Sequence, residues 1–235
     1  MKFIIFVPRF DRATEYSYIW GLEIEAYSRE KGHENINLLV ADAVKEKLEE
    51  AFTKNPDAHL VFYDHGNEDC LWGNNRKHVV DLTNNFILKN KEVFTMACLS
   101  SKKLGADSYL RYGTTYWGSY ETISFTTDAV EDFGLALNFP IKLRMDGESD
   151  WNVIMDKTLI HDNEVIDTMI GHGKIFAAAL MRENRDARRV WTDKTPPSDE
   201  DSDSTCFWRR LVLKLFGRKG WRVPNPHAMI NPPRI

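Results

Sequence analysis

The chain has 235 residues and 27.3 kDa, long enough for one large domain or two small ones and beyond the size at which a core needs disulfide or metal staples. With 43% hydrophobic and 28% charged residues its usage is that of an ordinary globular protein, which excludes wholesale disorder, collagen-like repeats and a coiled coil. A formal charge of −4 and an isoelectric point near 6.0 exclude a surface built throughout to hold nucleic acid.

Cys70, Cys98 and Cys206 are the only cysteines, and none is spaced C-x-x-C from another, so disulfide and zinc scaffolds fit poorly and no cofactor is implied. The apolar run Phe3 to Val7 stops at Pro8-Arg9, shorter than a signal-peptide core, and no stretch is long enough to span a bilayer. A soluble, cytoplasmic protein is expected.

In chain order, Lys2 to Val7 is a short, continuous apolar run that reads as a buried strand. A helix is expected from Ala13 to Lys31, ended by Gly32. A second strand spans Ile36 to Val40, Asp42 is expected to cap a helix to about Lys54, and Asn55-Pro56 precedes a third strand from Ala58 to Tyr63. Further strands are expected at Glu92 to Ala97 and Tyr116 to Phe125, with a helix at Lys102 to Tyr112 between them. Thr127 to Trp191 reads mainly as helix, broken near Gly171-His172-Gly173. Strands separated by helices imply an α/β fold with a mostly parallel sheet covered on both faces. Residues 1–192 are expected to form this domain, 193–204 an acidic linker of net charge −4, and 205–235 a basic amphipathic tail of net charge +7.

Ligands meet parallel sheets at the carboxyl ends of the strands. The third strand ends in Tyr63-Asp-His65-Gly66, and the next in Met96-Ala97-Cys98, so an imidazole and a thiol leave neighbouring strands on one edge. An imidazole that takes the thiol proton makes a nucleophile able to attack a carbonyl, and the backbone N–H groups of Gly66 and Cys98 are placed to stabilise the oxyanion. Taken singly, Cys98 reads as a small buried hydrophobe and His65 as a turn histidine; their joint placement favours chemistry. Asp64, Glu68 and Asp69 are candidates to orient His65. Cys70 and Cys206 read as structural or incidental. His161 and His172 lie about three helical turns apart with glycines between, which argues against a metal site.

His65-Gly66 after one apolar strand and Ala97-Cys98 after the next resemble the caspase-like cysteine peptidases, whose relatives include gingipains, clostripain, separases, metacaspases and CHAT domains. The resemblance covers roughly residues 1–135 and includes the strand around Trp117-Gly118-Ser119. The 33 positions between His65 and Cys98 and the absence of a Gln-Ala-Cys motif place the chain nearer gingipain-like or CHAT-like members than true caspases. The resemblance implies a three-layer α/β/α sandwich, a Cys98–His65 dyad that cleaves a protein or peptide, and a side-chain pocket partly built from Thr115 to Phe125. Glu121 or Asp128 there suggests cleavage after Arg or Lys, with Asp128 equally readable as a helix N-cap; Arg9 and Arg12 suggest the opposite, an acidic substrate residue. The alternatives are a catalytically silent binding module and a membrane-surface adaptor acting through the tail. The tail itself is expected to dock on the domain, on a partner protein or on a membrane surface, and, if it covers the pocket, to restrain activity.

Overall fold

The protein is described from a computed structural model over residues 1–197. The rest of the linker and the tail with Cys206, on which several of these expectations fall, lie outside the described residues. The chain opens with β1 (Lys2–Val7), α1 (Arg12–Glu30), β2 (Glu34–Leu39), α2 (Lys45–Lys54) and β3 (His59–Phe62), the expected β-α-β-α-β order. It continues with β4 (Cys70–Trp72), β5 (His78–Asp81), β6 (Glu92–Thr95), α3 (Ala106–Tyr112), β7 (Thr115–Ser119), α4 (Val130–Met145), α5 (Trp151–Gly171), α6 (Ile175–Asp186) and β8 (Arg188–Trp191).

Six strands form one sheet in the order β2-β1-β3-β6-β7-β8, parallel except for β8, which runs antiparallel to β7. The central strands are buried on both faces, which is why they read as unbroken apolar runs. Along β1 the side chains alternate. Phe3, Ile5 and Val7 join a core with Trp20 of α1, Phe133 of α4, Ile154 of α5 and Met181 of α6; Ile4 and Phe6 join another with Leu48 and Phe52 of α2 and Val80 of β5.

Several expectations are corrected. The stretch between β3 and β6 holds an antiparallel hairpin, β4 with β5, too short and too irregular in composition to stand out as strands. Asp42 lies in a 3₁₀ turn, and α2 begins after Val44 with no side-chain cap. The strand expected to reach Phe125 ends at Ser119, because the Ser119 hydroxyl donates to the Glu121 carbonyl (2.7 Å) and the Leu99 N–H to the same oxygen (3.1 Å), bending the chain out of the sheet. Arg188 to Trp191, expected as helix, forms the edge strand β8, four residues whose short, charged start conceals strand alternation.

A buried ion pair fixes β8 to the helices. Arg188 (7% exposed) donates through Nε and Nη2 to the carboxylate of Asp162 on α5 (0% exposed) at 2.6 and 3.0 Å, and Nη2 also donates to the Ala136 carbonyl of α4 at 3.1 Å. Removing one partner of such a pair strands a charge in an apolar interior. Asp162→Ala is therefore expected to lower the unfolding free energy by about 3–5 kcal/mol in urea titrations; a loss below about 1 kcal/mol would contradict the structural role assigned to the pair.

Candidate functional site

The site is set by strand register. Phe62 of β3 lies opposite Thr95 of β6, and the Met96 N–H donates to the Phe62 carbonyl at 3.0 Å. His65 and Cys98 each follow these paired residues by three positions, so they leave adjacent central strands at one level of the carboxyl edge. Gly66 allows the strand ends to approach. A Cβ at this position would stand 2.8 Å from the Ala97 Cβ, 3.0 Å from the Cys70 carbonyl oxygen and 3.4 Å from that of Cys98. The glycine is thus required by packing between the two site segments.

The hairpin then returns over His65: the Trp72 N–H donates to the His65 carbonyl at 3.0 Å, and the imidazole ring sits 6.1 Å from Trp72 and 5.9 Å from Phe10. Cys70 is buried, and its sulfur accepts from the Trp72 indole at 2.9 Å, a packing role that matches its reading as structural.

The group that orients His65 is Asp11, which sequence reasoning missed. His65 Nε2 lies 3.0 Å from Asp11 Oδ2, while Asp11 Oδ1 accepts from the Thr14 N–H at 2.9 Å as the N-cap of α1. Thr14 completes a capping box by accepting the Asp11 N–H at 2.9 Å. Burial raises the Asp11 carboxyl, but the Thr14 N–H and the His65 imidazole outweigh it and hold the group below its ordinary value. The signal available in the sequence was an Asp followed by Thr three residues later, directly after β1. The three proposed orienters do other things. Asp69 is exposed, Glu68 pairs with Lys103 (2.9 Å) and Lys102 (3.6 Å), and the buried Asp64 carboxyl meets no side-chain partner among the described residues.

Cys98 is half-buried beneath the segment that leaves β7. Its sulfur accepts from the Ile123 N–H at 3.4 Å and lies 3.8 Å from the Ile123 carbonyl, and no hydrogen bond joins it to the imidazole. Burial pushes the thiol above its ordinary range, against the lowering effect of the Ile123 N–H. Leu99, next in the chain, takes a left-handed conformation (φ 59°) rare for a branched side chain, a local strain at the turn that carries the thiol. Among the described residues no backbone carbonyl takes the N–H of Gly66 or Cys98, and the Cys98 N–H interacts with its own sulfur.

Glu121 and Asp128 are not brought together. Glu121 is part-exposed, 4.0 Å from Lys102, and Asp128 is fully on the surface; the N-cap of α4 is Ala129, with no side-chain bond. Arg9 pairs with Glu15 at 3.6 Å, and Arg76 lies 3.8 Å from Asp11, the carboxylate that holds His65. His161 stacks on Phe139 at 3.9 Å and His172 ends α5; no cluster of three or more metal-ligating side chains occurs among the described residues. None of their helices is long and apolar enough to cross a membrane. No family model, curated protein or solved structure matches this chain.

Asp64 is 6% exposed, and burial, opposed in part by the His65 backbone N–H and aided by Asp11, raises its carboxyl from 3.8 to about 9. Between about pH 4 and pH 9 the folded chain keeps a proton that the unfolded chain has lost. Stability should then fall as pH rises, by up to about 1.4 kcal/mol per pH unit from this group. Asp64→Asn cannot titrate and is expected to flatten that decline in urea denaturations between pH 5 and pH 8.5. Parallel slopes for the two proteins would refute the assignment.

Proposed function

We propose that the protein is a caspase-like cysteine peptidase of gingipain-like or CHAT-like type, with Cys98 as nucleophile and His65 as acid and base. The observation that carries this reading is the register of β3 and β6, which puts His65 and Cys98 at one level of the carboxyl edge, with the imidazole anchored by Asp11.

The chemistry follows from these groups. Cys98 Sγ gives its proton to His65 and attacks the peptide carbonyl carbon. The carbonyl oxygen gains the negative charge and is met by the N–H groups of Gly66 and Cys98. As the tetrahedral species collapses, the C–N bond breaks and His65 returns the proton to the leaving amine, leaving a thioester. Water, deprotonated by His65, attacks the thioester, and the departing sulfur recovers a proton. Asp11 keeps the ring oriented and stabilises the imidazolium that forms at each transfer. The thiol must first leave the Ile123 carbonyl for the imidazole; catalytic hydrogen bonds commonly tighten only when substrate binds.

One observation favours a second reading. A thiol raised by burial and bound to Ile123 rather than to His65 is what a catalytically silent binding module with the same fold would carry. A membrane-surface adaptor would depend on the tail, and liposome flotation of full-length and 1–192 chains tests it.

Peptide-library turnover separates the first two readings. Cys98→Ala is expected to fall to background and His65→Ala by about 10²–10⁴-fold in kcat, with both variants folded, whereas Cys70→Ala and Cys206→Ala retain activity. Wild-type turnover equal to that of Cys98→Ala would leave the silent module standing. Asp11→Asn tests the orienting role: asparagine caps a helix as well as aspartate, so stability should stay within about 0.5 kcal/mol of wild type. Its kcat is expected to fall by about tenfold or more with KM little changed; unchanged kcat would remove Asp11 from the mechanism.

A further inference from the structure

The hairpin that returns over His65 carries a further charged group to the site, and its turn is fixed to the core. A Cβ at Gly73 would stand 2.5 Å from Val79 Cγ1, 2.7 Å from the Ala43 carbonyl oxygen and 3.2 Å from the Phe6 ring. The Asn74 N–H donates to that same Ala43 oxygen at 2.9 Å, and the Gly73 N–H to the Lys77 carbonyl at 2.7 Å. Arg76, whose N–H donates to the Gly73 carbonyl at 3.1 Å, sits in the left-handed region (φ 59°). Glycine and asparagine enter that region more readily, so the turn itself does not call for an arginine.

The guanidinium reaches the site and is left uncommitted there. Its Nη2 lies 3.8 Å from Asp11 Oδ2, the oxygen that also meets His65 Nε2 at 3.0 Å. At that separation the charges attract without a hydrogen bond. The Arg76 side chain is 61% exposed and donates to no acceptor among the described residues. Asp11 has no oxygen to spare, since Oδ1 accepts the Thr14 N–H. Arg12, next to Asp11 in the chain, is exposed and forms no ion pair among the described residues, whereas Arg9 is spent on Glu15. The acids in the loop after His65 serve other cations: Glu68 pairs with Lys102 and Lys103, and the charge of Asp69 also acts on Lys103.

Charge decides what fits beside Arg76. Once His65 takes the Cys98 proton, the single carboxylate of Asp11 faces two cations, and this flank of the site carries a net positive charge. His65 also returns the proton to the leaving amine, so the part of the peptide beyond the cut bond passes the imidazole. A carboxylate there supplies the missing charge and two acceptors that match the planar guanidinium. A Lys or Arg side chain would add a third cation.

We propose that Arg76 binds a carboxylate in the leaving portion of the substrate peptide, beyond the bond that Cys98 cuts. The inference rests on the peptidase reading and names the side of the cut on which the substrate is selected.

A random peptide library is digested with the full-length protein, cut bonds are mapped by mass spectrometry, and Cys98→Ala serves as the blank. The best-cut peptide is then remade with each position after the cut set in turn to Asp and to Asn, and with its C-terminus free or amidated. At one position, or at the terminus, the carboxylate form is expected to show kcat/KM about threefold or more above its amide. Loss of the preference on Asp-to-Asn exchange identifies a side chain, and loss on amidation identifies the terminus; either is the proposed contact. Arg76→Gln is expected to bring that ratio to about one, and Arg76→Lys to keep part of it. Absence of a carboxylate preference overturns the assignment of Arg76, and so does a ratio that Arg76→Gln leaves intact, including the case in which both peptides slow alike because the side chain only braces the hairpin. Both results keep the peptidase reading, because the cleavage still depends on Cys98. Absence of any Cys98-dependent cleavage overturns the peptidase reading and this inference together.

Discussion

The parallel pairing of β3 with β6 governs everything else at the candidate site. Parallel strands need a crossover, and here the crossover contains the β4–β5 hairpin and a 3₁₀ turn rather than a long helix. Once Phe62 faces Thr95, the next three residues on each strand are committed to the same edge, and the distance between His65 and Cys98 ceases to depend on the 33 positions that separate them in the chain. Gly66 is the concession this geometry demands, since any side chain there would press on Ala97 and the hairpin backbone together. The same edge carries Asp11 at the exit of β1, the strand on the other side of β3.

Asp11 shows how one residue can cap a helix and hold an imidazole at once. One carboxylate oxygen satisfies a free N–H at the start of α1 and the other holds the imidazole, so the first turn of the helix is a rigid mount for His65. A side chain held by two fixed partners loses its rotamer freedom during folding rather than during substrate binding, which is the physical content of preorganisation. Asp64 is the contrast. It sits one residue away in the chain, in a place where its charge cannot be solvated, and its protonated form is the less costly state at neutral pH.

Much of the frame was legible from sequence because continuous apolar runs such as Phe3 to Val7 and Leu60 to Tyr63 occur when a strand is covered on both faces. The two site residues were legible for a related reason, since each directly follows such a run. What stayed hidden depends on contacts between distant segments. Nothing local marks Asp11 as the partner of His65, 54 positions on. Cys70–Trp72 and Arg188–Trp191 are strands of three and four residues whose identity comes from their neighbours rather than from their own periodicity. The bend after Ser119 also escaped, because Thr115 to Phe125 is rich in aromatic and β-branched residues, a preference overridden by hydrogen bonds from Ser119 and Leu99 to a single carbonyl.

That bend gives the site its most consequential coupling. Had β7 continued to Phe125, Ile123 would lie in the sheet and the Cys98 thiol would lose both of its present neighbours. Instead the segment crosses the thiol, anchored at Ser124, whose N–H donates to Asn184 Oδ1 and whose carbonyl accepts from Asn184 Nδ2. On the proposed peptidase reading, a thiol freed from the Ile123 carbonyl becomes available to the imidazole, so movement of this one backbone unit would accompany formation of the nucleophile.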